Sequence, residues 1–255
     1  MITSTLRSPA PLPRRDDRPL RNGAAGHRAA GDRTVRDGAV GDRAVRDRAV
    51  RDRPVWLVGC DLAAVLLLAV EGGVMAVAAG FGLVGVLAVA FVSSLGGGLV
   101  RDLVVQRHPP AALGSVVYPA TALAGGLVAA FAHEPLAVLL PDTRAPFDAA
   151  ALGLLCVTGA VIALDRHMST LGAVLLGTVS AVGGGVIRDM MTGAVPVALH
   201  HDVSAVATAA GATVTVVALR CRAPRPLAAV SGVVTCAVLS LVATYLGWRL
   251  PAMTG

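Results

Sequence analysis

A seven-residue phrase able to handle ions occurs twice in this chain. Gly96-Gly97-Gly98-Leu99-Val100-Arg101-Asp102 returns as Gly183-Gly184-Gly185-Val186-Ile187-Arg188-Asp189, an offset of 87 residues. The same offset carries Asp61 to Asp148, Gly72 to Gly159, Gly85 to Gly172, Ser93 to Ser180 and Pro109 to Pro196, so the chain is an internal duplication. Each copy sets a glycine triplet and an Arg-Asp pair in an otherwise apolar segment. Glycine weakens a helix by about 1 kcal/mol relative to Ala, and charges at membrane depth are costly enough to mark a pathway or a site. Both features appearing twice points to transport.

The triplets admit two readings. Backbone groups freed by a break in a membrane helix must be met by protein or water. Breaks at Gly96, Gly97 and Gly98 and at Gly183, Gly184 and Gly185 would thus turn carbonyls toward a polar cavity, replacing part of a cation's hydration shell. Alternatively the glycines only permit close helix contact, as small residues do in membranes. Recurrence beside Arg-Asp favours the break, and the two readings are compatible. Ser93 and Ser180, three residues before each triplet, offer hydroxyls either to a pore or to a carbonyl of their own helix.

Arg101 and Arg188 are each followed by an aspartate, Asp102 and Asp189. Adjacent helical positions point about 100° apart, which predicts that neither Arg bonds its own neighbour. A crossed arrangement, Arg of one element with Asp of another, drawing on Asp61 and Asp148 near the starts of their helices, would neutralise four buried charges and pin the kinks. In the sharper reading an Arg guards a pore and moves to let a cation pass. Glu71 falls in the middle of the first apolar run and its counterpart is Thr158, which marks Glu71 as a pore-lining candidate. His200-His201-Asp202 suggests a loop leading into a helix capped by Asp202, not a metal site. His133, Glu134, Asp142, Arg144 and Asp148 read as a solvated loop between the repeats. Cys60, Cys156, Cys221 and Cys236 lack metal-ligand spacing and read as small apolar residues. No metal or cofactor site is expected.

These residues need a membrane scaffold. Mean hydropathy is +0.71 and 55% of residues are hydrophobic, with apolar runs too continuous for a soluble domain beyond Val55. A membrane span takes roughly 20 apolar residues, and seven runs qualify: 56–78, 82–105, 112–132, 149–165, 169–192, 202–219 and 227–247. Trp56 and Trp248 bracket the set at interfacial positions. The predicted class is an all-α membrane protein of two three-helix repeats, 55–134 and 142–220, with a seventh helix at 226–248. Three spans per repeat is odd, so the second copy enters the membrane inverted, an arrangement of transporters and channels.

Residues 1–54 differ in kind. They hold 13 of the 22 basic residues, all Arg, against seven Asp, a net +6 equal to that of the whole chain. From Gly31 a five-residue unit repeats through Asp-Arg variants; that period fits neither helix nor strand, and the composition predicts disorder. The tail can dock on anionic lipid headgroups; interleaved Asp and missing aromatics speak against nucleic acid. No cleavable signal peptide is evident. Arg107, Arg166, Arg220, Arg222 and Arg225 fall on the tail's side of the membrane. The positive-inside rule therefore puts the amino terminus in the cytoplasm of a cell-membrane protein.

Two three-helix repeats with Gly-Gly-Gly-x-x-Arg-Asp in the second and fifth helices, the aspartates Asp61 and Asp148, the prolines Pro109 and Pro196 and a seventh helix resemble the prokaryotic trimeric intracellular cation (TRIC) channels. That family overlaps membrane proteins labelled with a glycine-transporter domain. The resemblance covers about 56–247. It implies a homotrimer with a pore in each protomer, triplet-bearing helices bent around it, Arg101 and Arg188 near the constriction, and passive conduction of potassium and other monovalent cations. It also implies an amino terminus away from the cytoplasm, against the charge count. Glu71, Ser204 in place of an aromatic, and the repetitive tail depart from the family pattern. A secondary transporter of a small zwitterion such as glycine, and a non-transporting scaffold, are the alternatives. No nucleophile–base arrangement or nucleotide loop argues for an enzyme.

Overall fold

Runs of Ala, Leu and Val, separated by Pro, Gly and Ser, fold as eight helices with no strand among the described residues. The structure, a computed structural model, describes residues 54–106, 109–139, 144–194 and 203–246. The helices are α1 (Val55–Ala78), α2 (Leu83–Val104), α3 (Ala111–Gly114), α4 (Val117–Leu139), α5 (Arg144–Asp165), α6 (Thr170–Met191), α7 (Val203–Arg220) and α8 (Arg225–Tyr245). The tail, Arg107, Asp142, Pro196, the His200-His201-Asp202 stretch, Trp248 and Arg249 lie outside the described residues, as do the side chains of His133, Glu134 and Arg144.

Local signals set the helix ends. Pro54 precedes α1 and Pro224 precedes α8, where a missing N–H costs nothing. Ser169 caps α6, its hydroxyl accepting from the Gly172 N–H at 3.1 Å. Gly80 and Gly193, with φ of +82° and +72°, lead the chain away from α1 and α6 in the left-handed conformation.

Five helices (α1, α2, α5, α6 and α8) are long and apolar enough to cross a membrane. The stretches Val117–Ala132 of α4 and Ser204–Arg220 of α7 are apolar but shorter. Two boundaries differ from expectation. The run at 112–132 is split, because Ser115 is extended (φ −137°) and divides α3 from α4. Arg144 and Asp148, expected in a loop, belong to the first turns of α5, since Ala149, Ala151 and Leu152 just beyond them are buried and draw the helix start into the bundle.

Within the first copy α1, α2 and α4 pack on one another, and within the second α5, α6 and α7 do the same. The copies meet through α1 on α5 and α2 on α6, while α8 leans on α5 and α7. Small residues permit the close approach. A Cβ on Gly125 would stand 2.7 Å from Ala69 Cβ, one on Gly159 2.9 Å from Gly177 Cα, and one on Gly211 2.7 Å from Cys236 Cβ. α5 is the enclosed centre, with Leu155, Cys156, Val157, Ala160 and Val161 buried. Cys156 and Cys236 behave as small apolar residues there; Cys221, just past α7, is exposed.

Candidate functional site

The triplets do not break their helices. α2 is helical from Leu83 to Val104 and α6 from Thr170 to Met191, so the expected interruption, with carbonyls freed at Gly96, Gly97, Gly98, Gly183, Gly184 and Gly185, is corrected. The glycines instead form the crossing of the two copies. A Cβ on Gly97 would collide with the backbone oxygen of Ser180, and one on Gly184 would stand 2.5 Å from the backbone oxygen of Ser93. Position 97 lies against 180 and 184 against 93, so α2 and α6 cross antiparallel. Gly98 and Gly185 serve differently: the nearest atoms to their missing Cβ are the Arg101 and Arg188 guanidinium nitrogens at 3.6 and 3.7 Å. They leave a channel along the helix for an arginine one turn ahead.

Ser93 and Ser180 are fully buried at this crossing. The Ser93 hydroxyl is within donating reach of the Ala90 carbonyl of its own helix at 3.3 Å and of the Leu68 carbonyl of α1 at 3.5 Å. Ser180 Oγ has no hydrogen-bond partner among the described residues. Ser180→Ala is therefore expected to leave stability unchanged or raise it, whereas Ser93→Ala costs on the order of 1 kcal/mol; thermal unfolding of the detergent-purified variants checks this.

Around the crossing sit two charge clusters. In the first, Arg101 grips Asp61 with both ends of its guanidinium, Nη1 to Oδ1 at 2.7 Å and Nη2 to Oδ2 at 3.0 Å. Such a fork gives geometric specificity as well as strength. Arg101 Nε donates to Asp102 Oδ1 at 3.1 Å, and Nη1 reaches Thr158 Oγ1 at 3.4 Å. The Tyr118 hydroxyl donates to Asp61 Oδ2 at 3.1 Å, and Asp102 Oδ2 accepts the Ala111 N–H at 2.8 Å. Arg101 is 1% exposed and Asp61 2%, so the cluster is sealed in the bundle.

In the second cluster Arg188 Nε donates to Asp189 Oδ1 at 2.9 Å. Its Nη1 lies 2.6 Å from Glu71 Oε1 but 4.0 Å from Asp148 Oδ1. Asp148 is 34% exposed. A cavity of about 280 Å³ opens here, lined among others by Glu71, Asp148, Arg188, Asp189 and Ser204. Among the described residues its lining brings together three carboxylates and one guanidinium.

The clusters map onto each other under the 87-residue offset: Asp61 to Asp148, Arg101 to Arg188, Asp102 to Asp189, and Thr158 to Glu71. Arg101 joins the start of α1 to the middle of α5; Arg188 joins the middle of α1 to the start of α5. The helices α1 and α5 are therefore antiparallel too. Asp61 and Glu71, ten residues apart, stand about 15 Å apart along α1 at 1.5 Å per residue.

One expectation about the charges needs correction. Each arginine does bond the aspartate beside it, because the side chain curls back and donates from Nε, an atom nearer the backbone than the guanidinium ends. Across elements, Arg101 of α2 holds Asp61 of α1 and reaches Thr158 of α5, while Arg188 of α6 reaches Glu71 of α1. Sequence reasoning missed Tyr118, although a tyrosine in an apolar run of a chain with two tyrosines was a readable signal. Among the described residues no group of His, Cys, Asp or Glu is arranged to hold a metal.

Known proteins resemble this chain in sequence and fold. The family model described as "Glycine transporter" matches residues 58–134 and 146–220, one copy each. A UPF0126 membrane protein of Deinococcus radiodurans is 38% identical over 62% of this chain and 71% of its own length. The UPF0126 inner membrane protein YadS of Escherichia coli K12 is 28% identical over 77% and 94%. Among solved structures, a TRIC cation channel studied for conductance superposes with TM-score 0.70 at 30% identity, covering 77% of this chain and 96% of that one. The TRIC orthologue from Rhodobacter sphaeroides gives 0.71 at 26%, covering 76% and 100%. With its apolar helices and doubled glycine crossing, the chain belongs to the glycine-transporter-domain family and is a multi-pass membrane protein of the TRIC type.

Proposed function

We propose that this chain is a membrane channel passing monovalent cations, potassium among them, down their gradient through a path between its two copies. The carrying observation is the pair of equivalent charge clusters: one is sealed by Asp61, Arg101 and Tyr118, and the other opens onto a cavity whose described lining holds the carboxylates of Glu71, Asp148 and Asp189. Carboxylates on low-dielectric walls concentrate cations at a cleft. In this reading Glu71, Asp148 and Asp189 line a vestibule, Arg188 stands at its floor, and the Arg101–Asp61 fork is the closed gate beyond it. The antiparallel relation of α1 to α5 and α2 to α6 supports an inverted repeat with seven spans. By analogy with the TRIC structures the assembly is a homotrimer with one path per protomer. The tail's charge supports a cytoplasmic amino terminus in the cell membrane, against anionic lipid.

The family description favours a second reading, secondary transport of glycine. Potassium flux into liposomes holding the full chain separates the two. A potential-driven flux that needs no proton or sodium gradient, and that falls in Asp148→Asn, is the expected result. Gradient-driven glycine uptake with counterflow, and no potassium flux, would replace the channel with the transporter. Absence of both would leave a scaffold.

A further inference from the structure

The two clusters share three of their four equivalent members, yet one is shut and the other open. Asp61, Arg101 and Asp102 correspond in kind to Asp148, Arg188 and Asp189; the member that differs is Thr158 against Glu71. Each arginine stands between an aspartate at the start of a helix in its own copy and the Thr or Glu half-way along a helix of the other. Arg101 sits on its aspartate at 2.7 and 3.0 Å, with the hydroxyl of Thr158 further off at 3.4 Å. Arg188 sits on Glu71 at 2.6 Å, with its aspartate at 4.0 Å. Charge-assisted bonds are about twice as strong as neutral ones, so a hydroxyl cannot draw a guanidinium from a carboxylate, while a second carboxylate can.

We infer that Glu71 is the positioning residue that decides which mouth stands open: it holds Arg188 inward, away from Asp148, and leaves that carboxylate facing the cavity. Where Thr158 takes the equivalent place, the guanidinium stays on Asp61, and Tyr118 closes over the pair. Tyr118 is a further departure between the copies, since the offset places Ala205 opposite it. Its hydroxyl bonds the Asp61 oxygen that Arg101 Nη2 already holds, so its closure follows the fork. The inference rests on the reading of this cavity as one mouth of a path.

Thiol labelling of the full chain in lipid nanodiscs, where both faces meet the reagent, tests it. Cys60→Ala and Cys221→Ala remove the more accessible thiols, and Cys156 and Cys236 remain buried. The reporters are Ala145→Cys, in the wall of the open cavity, and its equivalent Val58→Cys, each reacted with a charged water-soluble methanethiosulfonate. With Glu71 in place, Ala145→Cys reacts on the order of 10-fold faster than Val58→Cys. In Glu71→Thr, Arg188 returns to Asp148 and the Ala145→Cys rate drops toward that of Val58→Cys. Combining Glu71→Thr with Thr158→Glu reverses the order. An Ala145→Cys rate within about twofold of its starting value in Glu71→Thr overturns the inference, and that single variant decides if the double one does not fold. Labelling reads the mouths whether or not ions pass. Labelling that responds in a protein passing no potassium therefore rejects the channel and keeps the role of Glu71; potassium flux with unresponsive labelling does the opposite.

Discussion

Gly97→Ala is expected to destabilise the protein by roughly 1–3 kcal/mol, the cost of overpacking a filled site, although intrinsic propensity alone would have it stabilise the helix by about 1 kcal/mol. The steric effect wins because of what the new methyl group meets. The backbone oxygen of Ser180 occupies its place, and a carbonyl inside α6 cannot rotate aside without losing its helical bond. The helices α2 and α6 would have to separate along the seam that joins the copies. Gly184→Ala, against the backbone oxygen of Ser93, is expected to behave alike. The triplet supplies its own controls. A methyl at position 98 meets nothing closer than Arg101 Nη2 at 3.6 Å, and one at 183 nothing closer than Gly97 Cα at 3.7 Å; both are ordinary contacts. Gly98→Ala and Gly183→Ala should therefore unfold at or above the parental temperature, while Gly97→Ala and Gly184→Ala unfold lower. Equal shifts at all four positions would reject the crossing as the reason for the glycines.

Asp61→Ala is expected to cost 3–5 kcal/mol, the toll of breaking a buried pair and stranding its partner. Arg101 is 1% exposed, and without Asp61 the ends of its guanidinium are left with the Thr158 hydroxyl, only Nε still meeting a carboxylate. The same truncation in the second copy is expected to be mild. Asp148 is one-third exposed and 4.0 Å from Arg188, which keeps Glu71 and Asp189; partly solvated pairs contribute about 1 kcal/mol or less. Asp148→Ala should thus fold almost normally and show its effect in potassium flux, by removing one of the vestibule's carboxylates. Unfolding temperature and liposome flux on the two variants check both halves. Equal stability losses would show that the clusters are equally sealed, contrary to the geometry.

Much of this was legible beforehand. The apolar runs marked the helices because length and hydropathy alone decide membrane compatibility. The 87-residue offset singled out the residues that gather at the seam. Glu71 stood out because its counterpart is not acidic. What the chain did not disclose depended on distance. Three glycines in a row lower helix propensity, and that argued for a break; whether tertiary contact compensates depends on what the neighbouring helix presents at those positions, here the Ser93 and Ser180 carbonyls, which no side-chain pattern reveals. The bond from Arg101 to Asp102 was ruled out by directions at Cβ, but an arginine is long enough to fold back over one. Position 148 looked like loop because its surroundings are polar, whereas the helix has begun by Arg144 and buries the alanines just beyond Asp148.

The seam also constrains how the two copies can drift apart over time. Position 97 faces a backbone atom, and every amino acid at position 180 brings the same oxygen to the same place. A larger residue at 97 thus has no compensating substitution opposite it, and the reciprocal holds at 184 against 93. Position 96 is different, because the group its methyl would meet is the Ile187 side chain, which a shorter residue would clear. Of neighbouring glycines in one phrase, then, some are fixed singly and others are free to change in pairs. The duplicated halves can diverge in charge, as Glu71 and Thr158 have done, only around a joint whose own spelling cannot change.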